Sequence, residues 1–167
     1  MNKYALKLMT ALYLFSAFSA KSSDSDINIS MKVVFNSIRH EFGAMRGSYI
    51  TPRSLVSEQF VEALQDVTDE TRLPDGNYLI AGCRPHSCIE EAAVILTPAG
   101  GIIAMGLINF HCHVSTAGAT ACDANPHLSI FLKSGEDKTS LSQRLIDWAK
   151  RQTSIEATET RNFGIGR

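Results

Sequence analysis

The sequence lacks the motifs that identify several common enzyme classes and the charge excess of a nucleic-acid-binding protein. It contains no HExxH zinc motif, no phosphate-binding glycine loop, no Cys-x-x-Cys pair and no sequence pattern of a Ser-His-Asp catalytic triad. The chain has 16 basic and 17 acidic residues and is therefore almost neutral. A chain without a basic excess is a poor match for nucleic acid, so we expect no nucleic-acid partner.

An apolar run near the N-terminus is too short to span a bilayer. Residues 8–18 are nearly all apolar and follow Lys3 and Lys7. Ala17 and Ser19 then place small side chains three residues and one residue before a cleavage site. This pattern predicts a signal peptide at residues 1–19 and export of residues 20–167 to a bacterial periplasm. A retained anchor is the less favoured interpretation. Loss of the two lysines gives the mature chain a charge of −3, which is compatible with a basic protein partner.

The hydrophobic pattern of the mature chain predicts one α+β domain after a loose arm at residues 20–30. Apolar residues at helical spacing predict a helix over residues 31–42, with Gly43 as its end. Thr51 and Pro52 predict the start of a second helix that runs to about residue 64, and Ser140 is the predicted cap of a third. The segments at 67–75 and 153–167 are polar, and neither predicts a helix or a strand.

The middle of the chain has the composition of a β-sheet. Apolar runs at residues 77–82, 91–97 and 102–108 predict strands, and Pro-Ala-Gly-Gly at residues 98–101 predicts a hairpin turn between the second and the third. Shorter strands are predicted at residues 110–115 and 128–132. Helices at both ends of the chain around an antiparallel sheet place the fold in the α+β class.

Four cysteines allow three disulfide pairings, of which the local one is the simplest. Proximity in the sequence favours Cys83–Cys88 and Cys112–Cys122. From the sizes of the closed loops, we expect the first bridge to stabilise the fold by about 2 kcal/mol and the second by about 3 kcal/mol. The first bridge would close a loop between two predicted strands, with Arg84, Pro85, His86 and Ser87 at its tip.

The sequence Cys-Arg-Pro-His-Ser-Cys at residues 83–88 resembles the Cys-Lys-Pro-His-Asp-Cys loop of the Ivy family, inhibitors of vertebrate (c-type) lysozyme. The similarity extends over residues 78–102. Weaker similarity is found at residues 35–36, at Tyr49 with residues 51–52, and at Phe163. The resemblance implies a periplasmic protein that inserts this loop into the cleft of a lysozyme or another muramidase, and it suggests a homodimer. The histidine that hydrogen-bonds the catalytic carboxylates of the target would then be His86, held in direction by Pro85 and the bridge. The chain departs from the family at Arg84, at Ser87 and in its second cysteine pair.

Three other interpretations of the same residues remain open from the sequence. His111, Cys112 and His113, with Cys122 and His127, have the ligand types of a zinc site, but alternation along a strand would point Cys112 away from the two neighbouring histidines. A thiol enzyme would use Cys83 or Cys88 with His86 as base, although residues in so tight a loop aim poorly at each other. An immunity protein against a peptidoglycan-degrading toxin would use the same kind of stapled loop, and His86 could also be a plain surface residue. We favour a non-enzymatic inhibitor that binds no cofactor and no metal.

Overall fold

The structure, a computed structural model, describes residues 30–164. The predicted signal peptide at residues 1–19 lies outside this range. Within this range the chain forms three helices and a six-stranded sheet, with two small two-stranded sheets beside it. In chain order the elements are α1 (Met31–Phe42), β1 (Arg46–Gly47), β2 (Ser54–Leu55), α2 (Val56–Ala63), β3 (Asp66–Arg72), β4 (Tyr78–Arg84), β5 (Ser87–Leu96), β6 (Ile102–Asn109), β7 (His113–Val114), β8 (Thr120–Ala121), β9 (His127–Lys133), α3 (Lys138–Gln152) and β10 (Ala157–Phe163).

The central sheet has the strand order β10-β9-β6-β5-β4-β3 and confirms the predicted α+β class. Neighbouring strands are antiparallel except for β9 and β10, which run parallel over seven residue pairs from Ala157↔His127 to Phe163↔Lys133. A parallel pair needs a crossover, and α3 supplies it. The β5–β6 hairpin turns at residues 98–101 as predicted, where Thr97 N–H donates to the Gly101 carbonyl over 2.9 Å and Gly100 has a φ of 81°.

Both faces of the sheet are covered by helices. On one face α1 and α2 pack through Ile38, Phe60 and their neighbours, and on the other α3 packs through Leu145 and Trp148, all of them completely buried. Strands that are buried on both faces have continuous apolar sequences. This explains why β4, β5 and β6 are recognisable from composition alone.

Two strands of the sheet were not predicted. β3 falls in the polar segment at residues 67–75 and β10 in the tail at residues 153–167, and both lie at the edges of the sheet. Edge strands with exposed side chains need no apolar alternation, because backbone hydrogen bonds to β4 and β9 hold them in place. Their formation therefore depends on neighbours that the local sequence does not specify.

Two predicted helix starts were wrong. α2 begins at Val56, and not at Thr51 and Pro52, because residues 51–53 form a turn in which Arg53 has a φ of 55°. Its buried Gln59 accepts hydrogen bonds from three successive backbone N–H groups at residues 49–51 and so fixes this turn. α3 is capped by Asp137, and not by Ser140, since the Asp137 carboxylate accepts from the N–H groups of Thr139 and Ser140. Within residues 30–164 no helix is both long and apolar enough to cross a membrane.

Candidate functional site

The loop between β4 and β5 is a two-residue turn closed by a disulfide. Cys83 and Cys88 are bonded, with their Cα atoms 4.9 Å apart, and Arg84 pairs with Ser87 at the end of the hairpin. Pro85 and His86 form the turn itself. His86 has a φ of 65°, in the left-handed region, and its side chain is exposed. The structure therefore places the histidine at the tip of a short, covalently closed projection.

The second strand of this hairpin carries a bulge next to the bridge. Cys83 is opposite Glu91, but Arg84 is opposite Ser87, so residues 88–90 have no partner on β4. Such bulges redirect side chains at strand ends. Here Ile89 is 61% exposed whereas Glu90 is only 9% exposed, so that the apolar side chain faces solvent and the carboxylate faces the protein.

At the base of the loop one arginine is paired with two carboxylates. Arg84 Nη2 lies 2.8 Å from Glu62 Oε1 on α2, and Arg84 Nη1 lies 3.6 Å from Glu90 Oε1. The Ser87 hydroxyl donates to Glu90 Oε2 over 2.9 Å. These contacts direct Arg84 and Ser87 towards the base of the loop and away from its tip. Of the four predicted tip residues, His86 alone is exposed, and the other three are partly buried.

A shallow polar cleft of about 460 Å³ lies between this loop and the helices. An ion pair between Arg39 and Glu58, with Nε 2.7 Å from Oε1, forms part of its wall. The cleft is lined by Arg39, Glu58, Val61, Glu62, Gln65, Arg84 and Pro85. Arg84 therefore joins the inner side of the loop to the surface of α2.

A second disulfide closes a longer loop at the same end of the sheet. Cys112 and Cys122 are bonded with their Cα atoms 4.0 Å apart, and β7 and β8 form a small hairpin between them. Cys112 N–H donates to the Tyr49 carbonyl over 3.1 Å, which ties the hairpin to the turn that Gln59 organises. Both bridges are the ones that sequence proximity favours.

The strand predicted at residues 110–115 is only two residues long, and the arrangement of its histidines differs accordingly. Only His113 and Val114 of this stretch are in a strand, and His111 precedes them with a φ of 45°. The His111 ring packs against the His127 ring with centroids 4.6 Å apart, whereas His113 is exposed. Among residues 30–164, no group of three or more His, Cys, Asp or Glu side chains is placed to hold a metal ion.

A buried polar network beside the second loop was not predicted. The Asn109 amide donates to Ser129 Oγ over 2.9 Å, and that hydroxyl donates to Glu159 Oε1 over 2.8 Å. His111 Nε2 lies 3.6 Å from the same carboxylate oxygen. Asn109 is the last residue of β6, and Ser129 lies within β9. These polar residues in otherwise apolar strands are the only signal of the network in the sequence.

The pKa values of two carboxyl groups at this end of the sheet shift in opposite directions. Burial raises the pKa of Glu91, which lies opposite Cys83. Burial also acts to raise the pKa of Glu159, but hydrogen bonds from Ser129 and Arg161 outweigh it and hold that pKa below its usual value. Glu159 is therefore a stabilised carboxylate within a structural network.

Comparison with protein families gives a match that includes the stapled loop. The family model described as inhibitor of vertebrate lysozyme (Ivy) matches residues 52–120. This confirms the predicted resemblance and widens it from residues 78–102 to a segment that runs from the turn before α2 to the hairpin of the second loop. No curated protein and no solved structure matches the chain.

Proposed function

Given this match to a family of lysozyme inhibitors, we propose that the protein is a periplasmic lysozyme inhibitor that inserts its Cys83–Cys88 loop into the active-site cleft of its target. The observation that carries the proposal is the position of His86, exposed at the tip of a two-residue turn whose other polar groups are engaged with the protein itself.

The chemistry of the target suits an imidazole. A glycosidase of this type has two carboxyl groups that face each other across a groove. Histidine donates one hydrogen bond when it is neutral and two when it is protonated, so it serves such a site in either charge state. A loop that brings His86 to these carboxyl groups would exclude both the sugar and the attacking water.

The rigidity of the loop favours binding. The bridge, the turn and the Arg84–Glu62 ion pair restrict the conformations of the loop before it meets the target. Restricting a binding loop beforehand reduces the entropy that association must remove. Ser87 contributes by donating to Glu90, which an aspartate at this position, as in the family loop, would instead repel.

The direct test is a cell-wall lysis assay with a c-type lysozyme and the purified, oxidised mature protein. We expect the parent to inhibit lysis, and we expect His86→Ala to raise the inhibition constant by about 30-fold or more, as truncation of a central interface residue does. His40→Ala is the matched control, because His40 is an exposed histidine on α1 that lies near Gly101 and Ile102, at the opposite end of the sheet from the loop. Equal inhibition by the parent and His86→Ala would reject the loop. Absence of inhibition at a large molar excess would reject c-type lysozyme as the target and leave a peptidoglycan-degrading toxin to be tested in the same assay.

The proposed location has a separate test. Cleavage of residues 1–19 would give a periplasmic protein whose first residue is Ala20. Mass spectrometry of the protein from a periplasmic extract would measure this terminus. Recovery of the intact chain from the cytoplasm would contradict the proposed location without bearing on the loop.

A further inference from the structure

Exposed apolar side chains are concentrated at the end of the sheet that carries the stapled loop. Residues 30–164 expose five large hydrophobic side chains, and three of them, Val67, Ile89 and Val114, lie at this end at 42%, 61% and 51% exposure. Single exposed hydrophobic residues are ordinary in soluble proteins, whereas grouped ones indicate an interaction surface.

The strand order places Val67 on one side of the loop and Val114 on the other, with Ile89 next to the bridge. Val67 on β3 is opposite Gly82, one residue before Cys83, and Ile89 lies in the bulge of β5. On the far side, β6 runs beside β5 with Ile108 opposite Glu91, and the second stapled loop with Val114 begins four residues later at Cys112. From β3 to β6 the strands span three spacings, about 14 Å.

The opposite end of the sheet supplies a contrast. Val33 on α1 is 57% exposed, but it lies near Gly101 and Ile102, at the β5–β6 turn. It is therefore as exposed as Ile89 and Val114 and is remote from the loop. Val33 serves as a matched control for any effect of removing an exposed apolar side chain.

A loop of six residues is too small to form a stable complex by itself. A specific protein–protein interface buries about 800 Å² on each partner and involves about 20–30 residues a side. Most of this area must come from surfaces that flank the loop. The loop would reach the floor of the target's groove. The surfaces beside the loop must therefore fit the two lips of that groove.

The charge at this end favours a cationic partner surface. Cys83 lies between Asp66 on β3 and Glu91 on β5, both at least partly exposed, while the only basic residue of the loop is paired with Glu62 and Glu90. The second loop adds no charge between its cysteines apart from any proton on His113. The carboxylates thus lie beside the loop on β3 and β5, next to the exposed apolar side chains, and such flanks complement lips that are apolar and basic.

We propose that Val67, Ile89 and Val114 form two shoulders beside the loop and contact the lips of the lysozyme groove. This inference rests on the proposed function. It also assigns a role to the Cys112–Cys122 loop, which the resemblance to the Ivy family leaves without one. The second loop acts as a rigid support for Val114 on one side of the groove, as β3 does for Val67 on the other.

The test compares Val67→Ser, Ile89→Ser, Val114→Ser and the triple variant with Val33→Ser in the lysis assay. We expect each single shoulder variant to raise the inhibition constant by about fivefold, the triple variant by about 100-fold, and Val33→Ser by less than about twofold. Thermal unfolding should be nearly unchanged in all of them, because exposed substitutions have little effect on stability. Calorimetry should also show a less negative heat capacity change for binding by the triple variant, since less apolar surface is buried.

The outcomes separate the shoulders from the loop. If the triple variant inhibits like the parent while His86→Ala does not, the shoulders are rejected and the loop stands. If the triple variant loses inhibition and His86→Ala retains it, the shoulders stand and the insertion of His86 is rejected. A parent that inhibits no lysozyme overturns both proposals.

Discussion

The two stapled loops lie at the same end of the sheet and are fixed by different kinds of interaction. The Cys83–Cys88 loop is a two-residue turn whose base is held by ion pairs from Arg84 to Glu62 and Glu90. The Cys112–Cys122 loop is twice as long in sequence separation, 10 residues against 5, and contains no Asp, Glu, Lys or Arg.

The surroundings of the second loop supply the polar contacts that the loop itself does not have. Its start is bonded to the Tyr49 carbonyl, and the adjacent His111 packs beside the Asn109–Ser129–Glu159 network. A disulfide thus sets the size of a loop, whereas neighbouring residues set its direction. The short loop presents one exposed histidine, and the long loop presents an apolar side chain and small polar groups.

The largest expected effects come from removing the bridges. The two bridges should differ in opposite order in their effects on the free energy of unfolding and on inhibition. Replacing Cys112 and Cys122 by alanine should lower the free energy of unfolding by about 3 kcal/mol, and replacing Cys83 and Cys88 by about 2 kcal/mol, because the longer loop restricts the unfolded chain more. The order for inhibition should be reversed, since the shorter loop carries His86. Urea unfolding and the lysis assay measure the two effects. A larger loss of inhibition from the Cys112/Cys122 variant would contradict this division of roles.

A smaller effect is expected from the network that supports the longer loop. Glu159→Gln should lower the free energy of unfolding at pH 7 by about 1–2 kcal/mol, because it weakens hydrogen bonds to a charged group. The pKa of Glu159 is depressed in the folded protein, so its contribution is present above the unfolded pKa of about 4.3 and is lost as the pH falls through the folded value. The difference between parent and variant should therefore shrink below about pH 4.

Urea unfolding at pH 7, 5 and 3 measures this pH dependence. Glu156→Gln is the control, because Glu156 is an exposed carboxylate three residues before Glu159. A stability difference for Glu159→Gln that stayed constant from pH 7 to pH 3 would show that the network does not depend on the charge of this carboxylate.

The smallest effect is expected from the ion pair at the base of the shorter loop. Arg84 and Glu62 are each about one-third exposed, at 35% and 36%, and such pairs contribute about 0.2–1 kcal/mol. Arg84→Ala and Glu62→Ala should therefore each raise the inhibition constant by only about two- to fivefold, by loosening the loop. A much larger loss for Arg84→Ala than for Glu62→Ala would mean that Arg84 touches the target directly and is not a positioning residue.

The parts of the site that lie close together in the sequence were predictable. The Cys83–Cys88 loop, its turn residues and the strands on either side are all specified within residues 77–97, because a short disulfide and a hairpin depend on local spacing. The direction of Arg84 was not predictable, since it depends on Glu62 from α2.

The parts that were missed depend on contacts between distant segments. The network joins Asn109 to Ser129 across 20 residues and Ser129 to Glu159 across 30. β10 has exposed side chains at most positions and is defined by its pairing with β9, so its own sequence has no strand pattern. The exposure of Ile89 follows from a bulge, which the alternation of β5 does not indicate.

The most direct test of loop insertion is a competition measurement. Isothermal titration calorimetry would measure the affinity of the oxidised mature protein for a c-type lysozyme, with and without a soluble chitin oligosaccharide that fills the cleft. If the Cys83–Cys88 loop occupies the cleft, the apparent Kd should equal the intrinsic Kd divided by the fraction of enzyme that the oligosaccharide leaves free. An unchanged Kd with the cleft filled would show that the protein binds elsewhere and would contradict insertion of His86 into the active site.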